Sequence, residues 1–128
     1  ITALRALIGL VVIFNLTLGL GFLFSPARMA ELFFLAPQGI QGLATLRADF
    51  SSFFLIAAGF AGYGAWKQSA SPLLAPLALF AIAFLGRAIG LILDGVAPTA
   101  ITPMIVEAAM MAILLMGWFK FRNASFSD

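Results

Sequence analysis

The sequence predicts an all-α integral membrane protein, a bundle of four transmembrane helices. Hydrophobic residues make up 63% of the 128 residues and charged residues only 9%, whereas a typical soluble domain is about 25% charged. A soluble protein of this length would need far more charge to cover its surface. The apolar residues form four runs near the length of about 20 residues that spans the hydrocarbon core. None alternates as the strands of a membrane barrel do.

Four spans are predicted within a single domain that covers residues 1–128. They lie at about residues 4–24, 43–66, 72–93 and 103–119. Pro72 and Pro103 fall at first-turn positions, where the missing N–H of proline costs nothing. Ser71 and Thr102 precede them as N-cap residue types. Gly95 follows the third run as a helix stop.

The connection between the first and second spans is the only long one, and its first half predicts a short interfacial helix at about residues 26–35. The apolar and charged residues of this segment fall on different helical faces: Met29, Leu32 and Phe33 on one, Arg28 and Glu31 on the other. A helix of this kind lies in the membrane–water interface. An ordinary capped loop helix is the alternative, and it predicts the same position.

The lysines and arginines near the span ends predict the orientation. Arg5, Lys67, Lys120 and Arg122 fall on the side of the two termini and the second loop, and only Arg28 falls on the opposite side. Cytoplasmic flanks carry the excess of positive charge in membrane proteins. Both termini are therefore predicted to be cytoplasmic.

Five charges inside the spans are predicted to meet in the half of the bundle opposite the termini: Arg47, Asp49, Arg87, Asp94 and Glu107. A charge costs about 2.5–3.5 kcal/mol at the centre of a span, so such residues normally face inward and form pairs. Residues two apart on a helix point in different directions, so Arg47 and Asp49 need partners on other helices. We expect Asp49 to pair with Arg87 and Arg47 to pair with Glu107. One carboxylate remains, either a solvated Asp94 or a protonated Glu107.

Three interpretations of this cluster stay open: an ionic staple that fixes helix register, a pocket for a lipid headgroup or small polar molecule or proton, and a docking surface for another subunit.

Two pairs of small residues predict close helix packing. Gly86 and Gly90 form a G-x-x-x-G pattern in the third span, and Ala58 with Gly62 forms a similar one in the second. Such pairs let backbones approach closely, and we expect contacts inside the bundle rather than between chains.

The residue types that the chain lacks exclude several chemistries. There is no cysteine and no histidine, which removes thiolate and imidazole metal ligands and the commonest general base. No metal or cofactor is predicted. The seven basic residues are scattered, without the patch that nucleic-acid binding requires. An enzyme that uses Glu107 or Asp49 as a base is the least favoured hypothesis, because nearby arginines would hold these carboxylates as ion pairs.

Several of these residues resemble the pattern of a known family. L-R-A-D-F with Arg47, G-R-A-I-G-L-I-L-D-G at residues 86–95, and then Pro98 and Glu107 resemble a family of small bacterial four-helix membrane proteins. That family is catalogued as a domain of unknown function and is more distantly similar to DoxX-like proteins. The resemblance implies a four-helix membrane fold and a bacterial source, and it implies no activity. Asp49 does not match the family pattern.

These observations together predict a non-catalytic protein of the bacterial inner membrane. The first hypothesis is an accessory or scaffolding subunit, whose partners are the lipid bilayer and a larger membrane protein complex. The alternative is binding or transport of a lipid or small molecule at the charged pocket in the outer leaflet. Small size and the lack of inverted repeats weigh against transport, because carriers usually have more spans.

Overall fold

The computed structural model of the protein describes the backbone of residues 1–127 and the side chains of residues 1–123. All regular secondary structure in this part of the chain is helical, and four helices are long and apolar enough to cross a membrane. The all-α prediction with four membrane-length helices is therefore confirmed. The helical segments are α1 (Thr2–Phe24), α2 (Pro26–Leu32), α3 (Gly39–Thr45), α4 (Ser51–Lys67), α5 (Leu74–Leu93) and α6 (Ile101–Ser127).

The second membrane-length helix is longer than the sequence predicted. It runs from Gly39 to Lys67 as α3, a π-helical turn at Leu46–Phe50, and α4. Gly39 opens it with a φ of 62°, a backbone conformation that glycine adopts without steric cost. Gln68 closes it in the left-handed conformation, which is common after a helix C-terminus.

α2 occupies the position predicted for the interfacial helix but ends at Leu32. Met29 and Phe33 pack against a small buried cluster that contains Phe22 and Ala30. Leu32 is 66% exposed and is not part of this cluster.

α1 and α4 form the most extensively packed helix pair among the described residues. A Cβ atom on Gly19 would lie 2.7 Å from Cγ of Leu55, and one on Gly62 would lie 3.6 Å from a methyl carbon of Val12. Ala58 is buried on the same side of α4. Small residues therefore let the two backbones approach closely, and the Ala58–Gly62 ridge lies inside the bundle.

Arginines secure both ends of this antiparallel pair. Nε of Arg5, in the first turn of α1, donates to the carbonyl of Ala65 in the last turn of α4 at 3.1 Å. At the other end, Nη1 of Arg47 donates to the carbonyl of Leu23 in the last turn of α1. The last carbonyls of a helix have no partner within the helix, and a cation there also interacts favourably with the helix dipole. Each helix thus caps the other.

Much of the larger core cluster lies in the half of the bundle that contains the N-terminus, which we call the terminal half. Ile8, Leu73 and Leu114 are completely buried there. A Cβ on Gly64 would lie 2.6 Å from a methyl carbon of Leu73, and one on Gly117 would lie 2.9 Å from Cδ1 of Ile8. Glycine and alanine keep the helices close together in this half.

Candidate ligand pocket and its charged residues

The π-helical turn at Leu46–Phe50 is the L-R-A-D-F stretch that carries two charges. The two hydroxyl groups that directly follow it donate to its backbone carbonyls: Ser51 to Arg47, and Ser52 to Ala48. Such bonds to the carbonyl four residues earlier compete with the helical ladder and bend helices. π-turns are rare and are frequent at functional sites.

Arg47 and Asp49 lie in this turn and have different surroundings. One extra residue in a turn rotates the chain on either side by about 100°, the angle of one residue in an α-helix. Arg47 reaches the C-terminus of α1, whereas Asp49 lines a cavity within the bundle. The two charges of this stretch therefore have separate roles.

The cavity has a volume of about 390 Å³ and lies in the half of the bundle opposite the terminal half, which we call the pocket half. All four membrane-length helices contribute to its wall. Most of the wall is apolar, and six of its fourteen residues are phenylalanine: Phe14, Phe33, Phe50, Phe53, Phe54 and Phe80. The charged residues of the wall are Asp49, Arg87 and Glu107.

Aromatic contacts hold this wall together. The ring of Phe53 meets that of Phe80 at 6.2 Å between centroids, which joins α4 to α5. Phe22 packs against Phe50 at 5.0 Å and against Phe33 at 5.1 Å. Edge-to-face and tilted aromatic pairs stabilise beyond the area that they bury, by about 0.5–1.5 kcal/mol each. The phenylalanines thus form a connected frame around the cavity.

An ion pair joins α5 to α6 at the cavity wall. Nε of Arg87 lies 3.0 Å from Oε2 and 3.1 Å from Oε1 of Glu107. Glu107 is only 8% exposed, whereas the side chain of Arg87 is 42% exposed. Within residues 1–123 this is the only ion pair closer than 4.0 Å.

The structure corrects both predicted pairings of the charge cluster. Arg87 pairs with Glu107 and not with Asp49, and Arg47 caps α1 and does not reach Glu107. Asp94 is exposed as the C-cap residue of α5 and does not line the cavity. Of the five predicted residues, three line one pocket and two lie elsewhere.

The pocket carries an uncompensated negative charge. Arg87 and Glu107 neutralise each other, while Asp49 makes no hydrogen bond or ion pair with any described side chain or backbone group. Both contacts of Arg87 to Glu107 are made by Nε. Nη1 and Nη2 of Arg87 have no hydrogen-bond partner among the described residues. The pocket therefore offers both a free acceptor group and free donors.

None of the phenylalanines of the wall is among the site residues that the sequence predicts. Phe50, Phe53 and Phe54 follow Asp49 at spacings of one, four and five residues, and residues four apart share a helical face. Asp49 beside these phenylalanines is the sequence signal that could have indicated the pocket. Phe80 and Arg87, seven residues apart on α5, also line the cavity.

The two small-residue patterns have opposite surroundings. The Ala58–Gly62 ridge faces α1, as described above. A Cβ on Gly86 would meet nothing within 4 Å, and one on Gly90 would meet only the carboxylate of Asp94 at 3.9 Å. The expectation that the G-x-x-x-G of α5 packs inside the bundle is therefore wrong.

Comparison with protein-family models, with curated proteins and with solved structures yields no match. Within the described residues no group of three or more acidic, histidine or cysteine residues is arranged to hold a metal ion.

Proposed function

We propose that this protein is a multi-pass membrane protein that binds one amphipathic molecule in the pocket half of its bundle. The apolar body of the ligand lies against the phenylalanines, and its polar head lies beside Asp49 and Arg87. One observation carries the proposal: a cavity of about 390 Å³, built from all four long helices, in which an apolar wall converges on three charged side chains.

The size and lining of the cavity support binding. Small-molecule pockets have volumes of about 300–1,000 Å³ and are mostly apolar, with a few polar groups that orient the ligand. Ionisable residues inside membrane spans are costly and mark functional sites by default. Asp49, Arg87 and Glu107 combine these two properties at one place.

An ionic staple alone explains less of the site. The Arg87–Glu107 pair by itself is sufficient to tie α5 to α6, and it requires neither a cavity nor Asp49. The two halves of the bundle also differ in how their helices meet. Glycines of α4 and α6 lie against leucine and isoleucine side chains in the terminal half, while phenylalanine rings of α4 and α5 meet at the cavity in the pocket half.

We place the protein in the bacterial inner membrane with both termini in the cytoplasm and the pocket in the outer leaflet. The bacterial source is the one that the family resemblance implies. Lys67 stacks on Trp66 and Arg122 stacks on Trp118, with the cations 4.3 and 4.8 Å from the ring centroids. The excess of basic residues on one side supports this orientation, and the tryptophans support a position of these helix ends at the membrane–water interface.

The proposed role is binding and not catalysis. The chain contains neither histidine nor cysteine, and both carboxylate oxygens of Glu107 accept from Nε of Arg87. Glu107 is therefore held in an ion pair with Arg87.

A role as an accessory subunit of a larger membrane complex is a second proposal, supported by α5. The G-x-x-x-G formed by Gly86 and Gly90 is open on the outside of the bundle. Residues 71–93, which contain α5, are the least buried of the four long segments, at 11%. A helix of a partner protein has room to approach closely on this face, and the two proposals are compatible.

Filling the cavity tests the binding proposal. In native mass spectrometry from mild detergent, we expect the parent protein to retain an amphipathic molecule at about one per chain. Ala83 lines the cavity, and Ala83→Trp should reduce this retention at least about tenfold, which corresponds to about 1.4 kcal/mol. Ala81→Trp is the matched control, because Ala81 lies on the same helix but is exposed. Equal retention by both variants would show that the cavity is not the binding site.

A further inference from the structure

We infer, building on the binding function proposed above, that the pocket selects an amphiphile whose head carries a protonated primary amine. The amine pairs with Asp49, and an oxygen atom of the same head accepts hydrogen bonds from the terminal nitrogens of Arg87. Two sources share the protonated amine that pairs with Asp49: a membrane aminophospholipid, whose phosphate also supplies the oxygen for Arg87, and a free long-chain amine, which would use Asp49 alone.

The balance of charge in the pocket selects the sign of the ligand head. The cavity lining contains one arginine and two carboxylates, and the arginine is bound to Glu107 at 3.0 Å. Asp49 remains without a cation among the described residues. An anionic head would be repelled by this net negative charge.

The position of Arg47 is what makes the pocket acidic. If Arg47 reached the cavity, two arginines would balance two carboxylates, and an anionic headgroup would be acceptable. The guanidinium instead donates to the carbonyl of Leu23 at the C-terminus of α1, and Arg47 is not part of the cavity lining. Arg47 therefore does not neutralise Asp49.

Arg87 provides the second recognition element. A guanidinium has five N–H donors, and only the one on Nε is bonded among the described residues. The four donors on Nη1 and Nη2 are available, and the side chain is 42% exposed. A carbonyl, ester or phosphate oxygen close to the amine would satisfy them.

The aromatic wall favours a cation as well. Ring faces attract cations through their quadrupole, and the attraction increases when the cation is desolvated. A primary amine adds N–H donors, and a hydrogen bond from an ammonium group to a carboxylate is about twice as strong as a neutral one. A quaternary ammonium lacks those donors, so it should bind less well to Asp49.

A headgroup competition tests this inference on the full chain. The protein is equilibrated with equal amounts of phosphatidylethanolamine, phosphatidylcholine and phosphatidylglycerol with identical acyl chains, and bound lipid is counted by native mass spectrometry. We expect phosphatidylethanolamine to exceed each of the other two about tenfold. Asp49→Asn should reduce this preference to within about twofold while total lipid binding persists. Glu31→Gln removes an exposed carboxylate of α2 and should keep the preference.

Added dodecylamine distinguishes the two sources. Displacement of phosphatidylethanolamine by an equal amount of dodecylamine would identify the free amine as sufficient, and persistence of the lipid would identify the lipid head with its phosphate at Arg87. A parent protein that binds phosphatidylglycerol or phosphatidylcholine as well as phosphatidylethanolamine would overturn the inference, as would an unchanged preference in Asp49→Asn. Both results leave the binding function intact, whereas retention unaffected by Ala83→Trp removes the binding function itself.

Discussion

The ion pair between Arg87 and Glu107 should contribute measurably to stability, and its two partners should not be equivalent. Glu107 is 8% exposed, so Arg87→Ala leaves a buried carboxylate without a partner. Glu107→Ala leaves an arginine that is already 42% exposed and has a long apolar stem with which it can reach water. We therefore expect Arg87→Ala to lower the free energy of unfolding more than Glu107→Ala.

The magnitude lies between two known limits. Exposed ion pairs contribute about 0.2–1 kcal/mol, whereas breaking a fully buried pair costs about 3–5 kcal/mol. With one partner buried and the other half exposed, we expect about 3 kcal/mol for Arg87→Ala. The double variant should recover part of this loss, with a coupling energy of about 2 kcal/mol between the two positions.

Reversible unfolding in mild detergent, followed by the fluorescence of Trp66 and Trp118, measures all four members of this double-mutant cycle. Arg28→Ala is the control, because Arg28 is exposed on α2 and should change stability by less than about 0.5 kcal/mol. Additive losses at Arg87 and Glu107, within about 0.3–0.5 kcal/mol, would refute the reasoning. So would a larger loss for Glu107→Ala than for Arg87→Ala.

Three further predictions use the same unfolding assay or chemical labelling. Gly19→Ala should destabilise by about 1–3 kcal/mol through overpacking against α4, whereas Gly59→Ala, which meets nothing within 4 Å, should be neutral or stabilising. Arg47→Ala should cost about 1 kcal/mol through loss of the cap on α1 and leave ligand retention unchanged; a loss of retention without a loss of stability would place Arg47 in the pocket after all. Cysteines introduced at Gln38 and Gln68 should react with impermeant reagents from opposite sides of the membrane, and labelling of both from one side would contradict the topology.

The fold class followed from the sequence because hydropathy and helix breakers depend on local composition. A chain with four membrane-length apolar runs separated by proline and glycine is compatible with few folds other than a helical bundle. The same runs placed Asp49, Arg87 and Glu107 in one half of the bundle, because their distances from the span ends are similar. That part of the site required no knowledge of contacts.

The pairing of the charged residues could not be predicted from the geometry of regular α-helices. A periodic α-helix through residues 43–66 cannot anticipate the π-helical turn, which rotates Asp49 relative to the residues that follow it. The contact of Arg47 with Leu23 depends on the close approach of α1 and α4, which Gly19 permits. The outward position of Gly86 likewise depends on how α5 is rotated against its neighbours, and a motif alone does not determine that rotation.

An experimental structure determined in lipid nanodiscs tests the central claim most directly, through the density in the cavity between Phe53, Phe80 and Arg87. The account predicts an elongated density along the phenylalanines, with its head within hydrogen-bond distance of Asp49 and of the terminal nitrogens of Arg87. A cavity closed by collapse of Phe80 onto α6, or filled by a side chain of a neighbouring subunit, would contradict it.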